Sequence, residues 1–406
     1  MNLMQRPEAG APPTNERKLF PVSRAELERR WALTREHMRR LGLDALVAQS
    51  VRDFHGGYVR WFTDVPAGNP RTVIFYAADL MTVIDHGPAG RRRTLSGDDP
   101  THPGVGELVT TAAFASAHYT QAADAAAVVE VLRRRGCRKV GLVGAAATPH
   151  GFVAHLTDAL AGVEITDETD AIDRLKAIKS AEEIAAIRAT AEMQDRVFMR
   201  VLEQVRPGMR DFEITALARY EGEREGSEQG LFLASSAPLG KPAPFAARHG
   251  QGRTMRAGDH MALLIENNGF GGFYTELARI IVFGKASSEL NDGFQAAVEA
   301  QANTVKRFAP GASCRDIAAA HDDFMRARGL PLETRLYAHS QGYDLVERPL
   351  IRADETMSLA AGMNMAVHPT YATPAMFIVV CDNFLVEEHG PSVCLHKTEK
   401  KIFEIG

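Results

Sequence analysis

Among the side chains in the second half of this sequence whose types do hydrolytic or metal chemistry are Glu266 in Leu263-Leu-Ile-Glu-Asn-Asn268, Glu276 in Tyr274-Thr-Glu-Leu-Ala-Arg279, His339 in Ala338-His-Ser-Gln-Gly342, His368 before Pro369, and Cys381 at the end of Phe377-Ile-Val-Val-Cys381. Hydrolysis needs a base to activate water, an acid to protonate the leaving group, and donors for a developing oxyanion. Two glutamates close together would repel, so one would keep its proton and serve as acid while the other acts as base. Glutamate, histidine and cysteine are also ligand types for zinc and other transition metals. Each residue has a plainer reading as well. A lone histidine is commonly a core residue bonded to a carbonyl, Glu-Asn-Asn-Gly can be a strand end turning, and a cysteine in an apolar run is usually a small buried hydrophobe.

The elements that must hold these residues are readable from periodicity. Ser23-Arg-Ala-Glu26 has the pattern of a capping box and opens a helix that should end near Gly42. Apolar runs at 45–47, 72–76, 81–84 and 140–143 read as strands, and 122–135 and 152–161 as helices. This alternation predicts an α/β domain over 19–168, after a flexible tail at 1–18. The polar stretch Ile165–Asp170 leads into a second domain, 169–406. A second capping box, Ser180-Ala-Glu-Glu183, starts a long amphipathic helix that Pro207-Gly208 stops. Arg206-Pro-Gly and Ala309-Pro-Gly each lie between a long helix and a further helical run that starts near an aspartate, Asp211 or Asp316, a weak internal repeat.

Composition excludes several classes of function. The 406 residues are 45% hydrophobic and 24% charged, ordinary values for a globular chain of about two domains. A net charge of -4 offers no cationic surface for nucleic acid. No run reaches the roughly 18 apolar residues of a membrane span. Four cysteines without a C-x-x-C pattern fit reduced thiols and a cytoplasmic setting.

Leu175-Lys-Ala-Ile-Lys-Ser-Ala-Glu-Glu-Ile-Ala-Ala-Ile-Arg188, Arg206-Pro-Gly208, Ala257-Gly-Asp259, Gly272-Phe-Tyr-Thr-Glu276 and Ala338-His-Ser-Gln-Gly342 occur in the order found in creatinase, aminopeptidase P, prolidase and methionine aminopeptidase. The chain thus resembles the pita-bread family over about 170–406, with an N-terminal domain like that of the creatinase and prolidase branch. The resemblance implies an α/β N-terminal domain plus an α+β pita-bread catalytic domain. Peptidases of this family hold two metal ions with Asp, Asp, His, Glu and Glu. Here the first Asp position falls near Leu264 or Ile265, with Glu266 about one side-chain repeat later. The second is Glu276, the histidine is His339, and the two Glu positions are His368 and Cys381. So little negative charge disfavours a dinuclear pair.

The resemblance leaves two site chemistries open. In the first, creatinase-like and metal-free, Glu266, Glu276, His339 and His368 are catalytic and hydrolyse a non-peptide amide or amidine bond of a small molecule. In the second, Glu276, His339, His368 and Cys381 hold one divalent ion of Zn, Fe or Mn for hydrolysis or elimination. A non-catalytic binding protein is a third alternative. Substrate-binding candidates are His249, Tyr274, Arg279 and Glu347. A homodimer is implied, with the neighbouring subunit's 60–71 loop, carrying Arg60, Trp61 and Arg71, reaching the site. These readings carry the expectation of no appreciable Xaa-Pro peptidase activity.

Overall fold

A computed structural model of the chain describes residues 18–50, 57–66 and 69–406. The expected tail therefore lies almost entirely outside the described residues. The chain divides into two compact units, Met1–Thr169 and Asp170–Gly406.

The first unit contains α1 (Arg24–Leu41), β1 (Ala45–Ser50), α2 (Gly57–Thr63), β2 (Arg71–Tyr76), β3 (Met81–His86), β4 (Arg92–Thr94), β5 (Val105–Thr111), α3 (Gln121–Arg134), β6 (Lys139–Val143), α4 (His150–Ala159) and β7 (Glu164–Asp167). The strands form one mixed sheet in the order β4-β5-β3-β2-β1-β6-β7. Ser23 Oγ accepts the Glu26 N–H at the start of α1, and Gly42, at φ +66°, ends it in a left-handed turn. The central strands β1 and β2 are buried nearly throughout because both of their faces are covered.

The second unit begins with α5 (Thr169–Ala177), α6 (Ala181–Gln204), α7 (Asp211–Arg224), β8 (Gly230–Pro238), β9 (Asp259–Asn268) and β10 (Tyr274–Phe283). It continues with α8 (Ser288–Val305), α9 (Cys314–Ala327), β11 (Ala338–Ser340), β12 (Glu347–Leu350), β13 (Asn364–Val367), β14 (Thr370–Ala372), β15 (Phe377–Val379), β16 (Asp382–Leu385), β17 (Val393–Cys394) and β18 (Phe403–Ile405). The polar stretch Ile165–Asp170, at the expected boundary, is thus ordered into β7 and the start of α5. Ser180 and Glu183 make both hydrogen bonds of a capping box at the head of α6. The buried stripe of α6, Ile187, Met193, Val197, Phe198 and Val201, contributes roughly 1.5–3 kcal/mol per side chain.

Two sheets, ordered β18-β10-β9-β8 and β12-β11-β13-β16-β17, are joined by an antiparallel bridge between Ala278 and Cys381. All ten residues of β9 and all ten of β10 are buried. Alternation sorts their faces: Leu263, Ile265, Leu277 and Ile281 pack with α6 and α7, whereas Ala262, Leu264 and Ala278 pack with Phe377, Val379 and Cys381. Glu266 and Glu276 share the register of this second set.

The internal repeat is visible in the backbone. Met255 N donates to Met209 O at 2.9 Å and Gly208 N to Met255 O at 2.9 Å; the second half repeats this with Leu359 N to Ala312 O at 2.8 Å and Gly311 N to Leu359 O at 2.7 Å. Gly258 and Gly362, three residues after Met255 and Leu359, both adopt φ +83°, a conformation that favours glycine.

Candidate active site

Glu276 and Glu266 are direct cross-strand partners on β10 and β9, each 5% exposed. His339 on β11 places Nε2 3.8 Å from Glu276 Oε2, and His368, at the end of β13, places Nε2 4.0 Å from the same oxygen. The two imidazoles meet edge to face at 5.1 Å. One ligand atom from each of Glu276, His339 and His368 lies within 4.8 Å of the others, forming a group able to hold a metal ion.

Burial sets the protonation of this cluster. It pushes Glu276 up to about 7, and it raises Glu266 well above the usual carboxylate range, with the neighbouring charge of Glu276 adding to the effect. It pulls His339 down to about 4 and His368 well below its ordinary value, so both imidazoles are neutral at pH 7. His339 Nδ1 lies 3.0 Å from the Ser340 carbonyl, which only accepts. Nδ1 therefore carries the hydrogen, and Nε2 offers its lone pair toward Glu276, the tautomer a metal ligand requires.

The remaining sequence candidates are placed differently. Cys381 lies outside the ligand group; its thiol is driven well above the ordinary value, chiefly by burial, and donates to the Glu276 backbone carbonyl at 3.4 Å. Arg279 is fully buried, and its five N–H donors go to Asp382 and to the carbonyls of Ala278, Cys381, Thr398 and Glu399, which leaves none for a substrate. Glu347 is taken by Lys176 and Lys179, each at 3.1 Å. Although burial opposes its ionisation, the two ammonium groups hold it down to about 2. Tyr274 is completely buried on β10, two residues before Glu276, and His249 is exposed on the short turn Arg248–Gly250.

In the first unit, the expected loop 60–71 begins as helix. Arg60 and Trp61 lie in α2, 6% and 2% exposed, because Val59, Trp61 and Phe62 supply an apolar face. Arg71 opens β2, pairs with Asp85 at 2.6 Å and donates to the Pro66 carbonyl at 2.9 Å.

Sequence reasoning passed over a set of buried amides around the carboxylates: Gln341, Asn364, Asn383 and Gln194. Gln341 Nε2 donates to Glu266 Oε1 at 2.8 Å, and Asn383 Oδ1 accepts the Glu276 N–H at 2.7 Å. The available signal was their place in the strands: Gln341 follows His339 by two, and Asp382-Asn383 interrupts an otherwise apolar run.

The family model of metallopeptidase family M24 matches residues 185–388. The chain is 22% identical over 265 residues to the uncharacterized peptidase YqhT of Bacillus subtilis, covering 62% of this chain and 72% of that protein. It is 25% identical over 239 residues to the Xaa-Pro dipeptidase of Pyrococcus furiosus, covering 57% of this chain and 67% of that protein. The solved X-Pro aminopeptidase of Thermotoga maritima superposes with a TM-score of 0.76 at 16% identity, covering 92% of this chain and 99% of that one, a likeness of fold. These relatives are named as peptidases, which corrects the expectation of a creatinase-like hydrolase of a non-peptide C–N bond. With half of its length matched by the family model and a pita-bread fold around the Glu276 cluster, the chain is a hydrolase that belongs to metallopeptidase family M24.

Proposed function

We propose that this protein hydrolyses the peptide bond of a short peptide, using one divalent metal ion held by Glu276, His339 and His368. The observation that carries this reading is the convergence of three ligand atoms within 4.8 Å, with the lone pair of His339 Nε2 on the side of Glu276. One carboxylate and two neutral imidazoles suit a single divalent transition metal, and too little anionic charge remains nearby for a second. A metal ion there would supply Lewis-acid polarisation of the scissile carbonyl and activation of water.

The chain's own residues do the rest. Glu266, whose carboxyl burial and the neighbouring Glu276 push toward the protonated form, delivers a proton to the departing amine. The Gln341 amide fixes the direction of that carboxyl. The peptide substrate is supported by the relatives' names, Xaa-Pro dipeptidase among them. A cytoplasmic homodimer with a 19–168 N-terminal domain and a 169–406 catalytic domain belongs to the same proposal. All four cysteines are unpaired, in keeping with a reducing compartment, and no described helix is long and apolar enough to cross a membrane.

Elemental analysis of protein purified without chelator, paired with a panel of dipeptides that includes Xaa-Pro, tests the reading. The expected result is one metal equivalent per chain, with cleavage lost on chelation and restored by one equivalent. Two tightly bound equivalents, or a panel left uncleaved by the loaded protein, would overturn it. Undiminished cleavage by the chelated protein would move Glu276 from ligand to general base.

A further inference from the structure

Hydrogen-bond direction inside the second unit can be traced from groups that have no choice. The backbone N–H of Glu276 only donates, so Asn383, 2.7 Å away, presents Oδ1 to it. Asn383 Nδ2 then points to Gln341 Oε1 at 2.8 Å and Asn364 Oδ1 at 3.0 Å. Gln341 must therefore turn Nε2 the other way, where it meets Glu266 Oε1 at 2.8 Å and the Leu345 carbonyl at 3.0 Å. That carbonyl only accepts, so the far end of the chain demands the same orientation as the near end. Turning the Gln341 amide over would set oxygen against oxygen on one side and N–H against N–H on the other.

The same asparagine starts a second chain. Its backbone N–H donates to His396 Nδ1 at 3.2 Å, which puts the ring hydrogen on Nε2, 2.9 Å from Gln194 Oε1. Gln194 Nε2 is thereby aimed at the carbonyls of Thr275, at 2.6 Å, and Ile265, at 3.2 Å, the residues just before Glu276 and Glu266. Gln194, Gln341, Asn364 and Asn383 are each 0% exposed.

We propose that Gln341 is a positioning residue for Glu266, fixed in one orientation by a one-way relay that runs from the Glu276 amide through Asn383. Glu266 Oε1 is committed to accept from Gln341, and Oε2 is the oxygen left to exchange a proton with substrate or solvent. The functional part rests on the reading of Glu266 as the acid of a peptidase, whereas the orientation itself does not.

The test uses the full chain with ¹⁵N in its glutamine side chains, Gln341→Leu identifying the Gln341 signal. In the otherwise unchanged protein the Gln341 amide hydrogens are expected to exchange about a hundredfold or more slower than those of exposed glutamines, as doubly bonded buried donors do. Glu266→Gln should shift the signal while leaving it protected. Asn383→Asp touches neither Glu266 nor the labelled nitrogen, yet should move the signal strongly by turning the amide over. Exchange at the exposed rate, or a signal unmoved by Asn383→Asp, overturns the relay; if Asn383→Asp does not fold, the exchange rate and Glu266→Gln decide. None of these readings uses a substrate, so a failed peptidase assay leaves them in force. With Ala-Pro as probe, Gln341→Leu is expected to lower kcat about ten- to a hundredfold at nearly constant KM. An unchanged kcat in a variant whose wild-type parent cleaves the probe removes the positioning role while sparing the peptidase reading.

Discussion

In the first half of the 170–406 unit, α6 and α7 back a sheet whose inner face carries two carboxylates, Glu266 and Glu276. In the second half, α8 and α9 accompany a sheet that contributes two neutral imidazoles, His339 and His368, and three amides, Gln341, Asn364 and Asn383. The backbone frame is repeated down to the Met255–Met209 and Leu359–Ala312 hydrogen bonds and the paired φ of Gly258 and Gly362. The side chains on the facing surfaces are not repeated. A duplicated frame constrains turns and register, whereas the residue at each inward strand position is free to diverge. One half supplies the acidic groups and the other supplies the neutral imidazoles and most of the orienting amides.

The largest effect expected from breaking this division is on chemistry. Removing one imidazole by His339→Ala should cut turnover on the order of a thousandfold and abolish stoichiometric metal uptake, checked by kinetics and elemental analysis. Residual uptake of a full equivalent would mean that His339 is not needed to hold the ion.

Next comes the seam between the halves. Arg279 on β10 and Asp382 on β16 form a fully buried pair at 2.6 Å. Arg279→Met takes from Asp382 its buried partner, leaving it Lys400 at 3.6 Å and the Gln301 amide at 3.1 Å, and should cost about 3 kcal/mol in denaturant unfolding, while Lys285→Met, on an exposed pair, should leave the unfolding midpoint nearly unchanged.

The halves should also respond oppositely to pH when metal-free. Glu276 titrates near 7 in the folded protein, above its ordinary value of 4.5, so the native state holds the extra proton and this group lowers stability as pH rises from 4.5 to 7. His339 titrates near 4 rather than 6.5, so the unfolded state holds the extra proton and stability rises with pH from 4 to 6.5. Glu276→Gln should therefore gain stability relative to wild type between pH 4.5 and 7, and His339→Phe should gain relative to wild type as pH falls from 6.5 to 4. Parallel pH curves for both variants would show that the cluster does not hold these protonation states.

The smallest effects test the repeated turn. At Gly258 an added Cβ meets nothing within 4 Å, so Gly258→Ala should cost about 1 kcal/mol for its backbone conformation alone. At Gly362 the same Cβ lies 3.0 Å from the Lys179 carbonyl, and Gly362→Ala should cost about 2–3 kcal/mol by thermal unfolding.

Long periodic elements were legible from sequence, and so was the order of the motifs. The Ser180 capping box and the stripe from Ile187 to Val201 carry local signals that survive folding. The helix at Gly57–Thr63 was missed because its Trp-Phe-Thr run reads equally as strand or loop and its burial comes from the rest of its unit. At the site, Glu276, His339 and His368 could be named through the resemblance of their motifs to the family's ligand positions. Arg279 and Glu347 were misjudged because a charged residue in a motif looks available until its partners, Asp382 in one case and Lys176 with Lys179 in the other, are seen in three dimensions. The amide relay had no local periodic signature, since its members come from separate strands and matter only through bond direction.

The Glu347 clasp bears on how the protein is made. Lys176 and Lys179 leave the ribosome long before Glu347, and both are nearly inaccessible to solvent in the finished fold, with side chains 4% and 2% exposed. Two ammonium groups do not enter an apolar interior without a counter-charge. The segment ahead of α6 must then stay hydrated until translation has passed residue 347, and the Gly342–Glu347 turn that carries the counter-charge becomes the event that closes the catalytic half. A nascent chain halted before that point should remain protease-sensitive at Lys176 and Lys179, and one halted after Glu347 has cleared the exit tunnel should not.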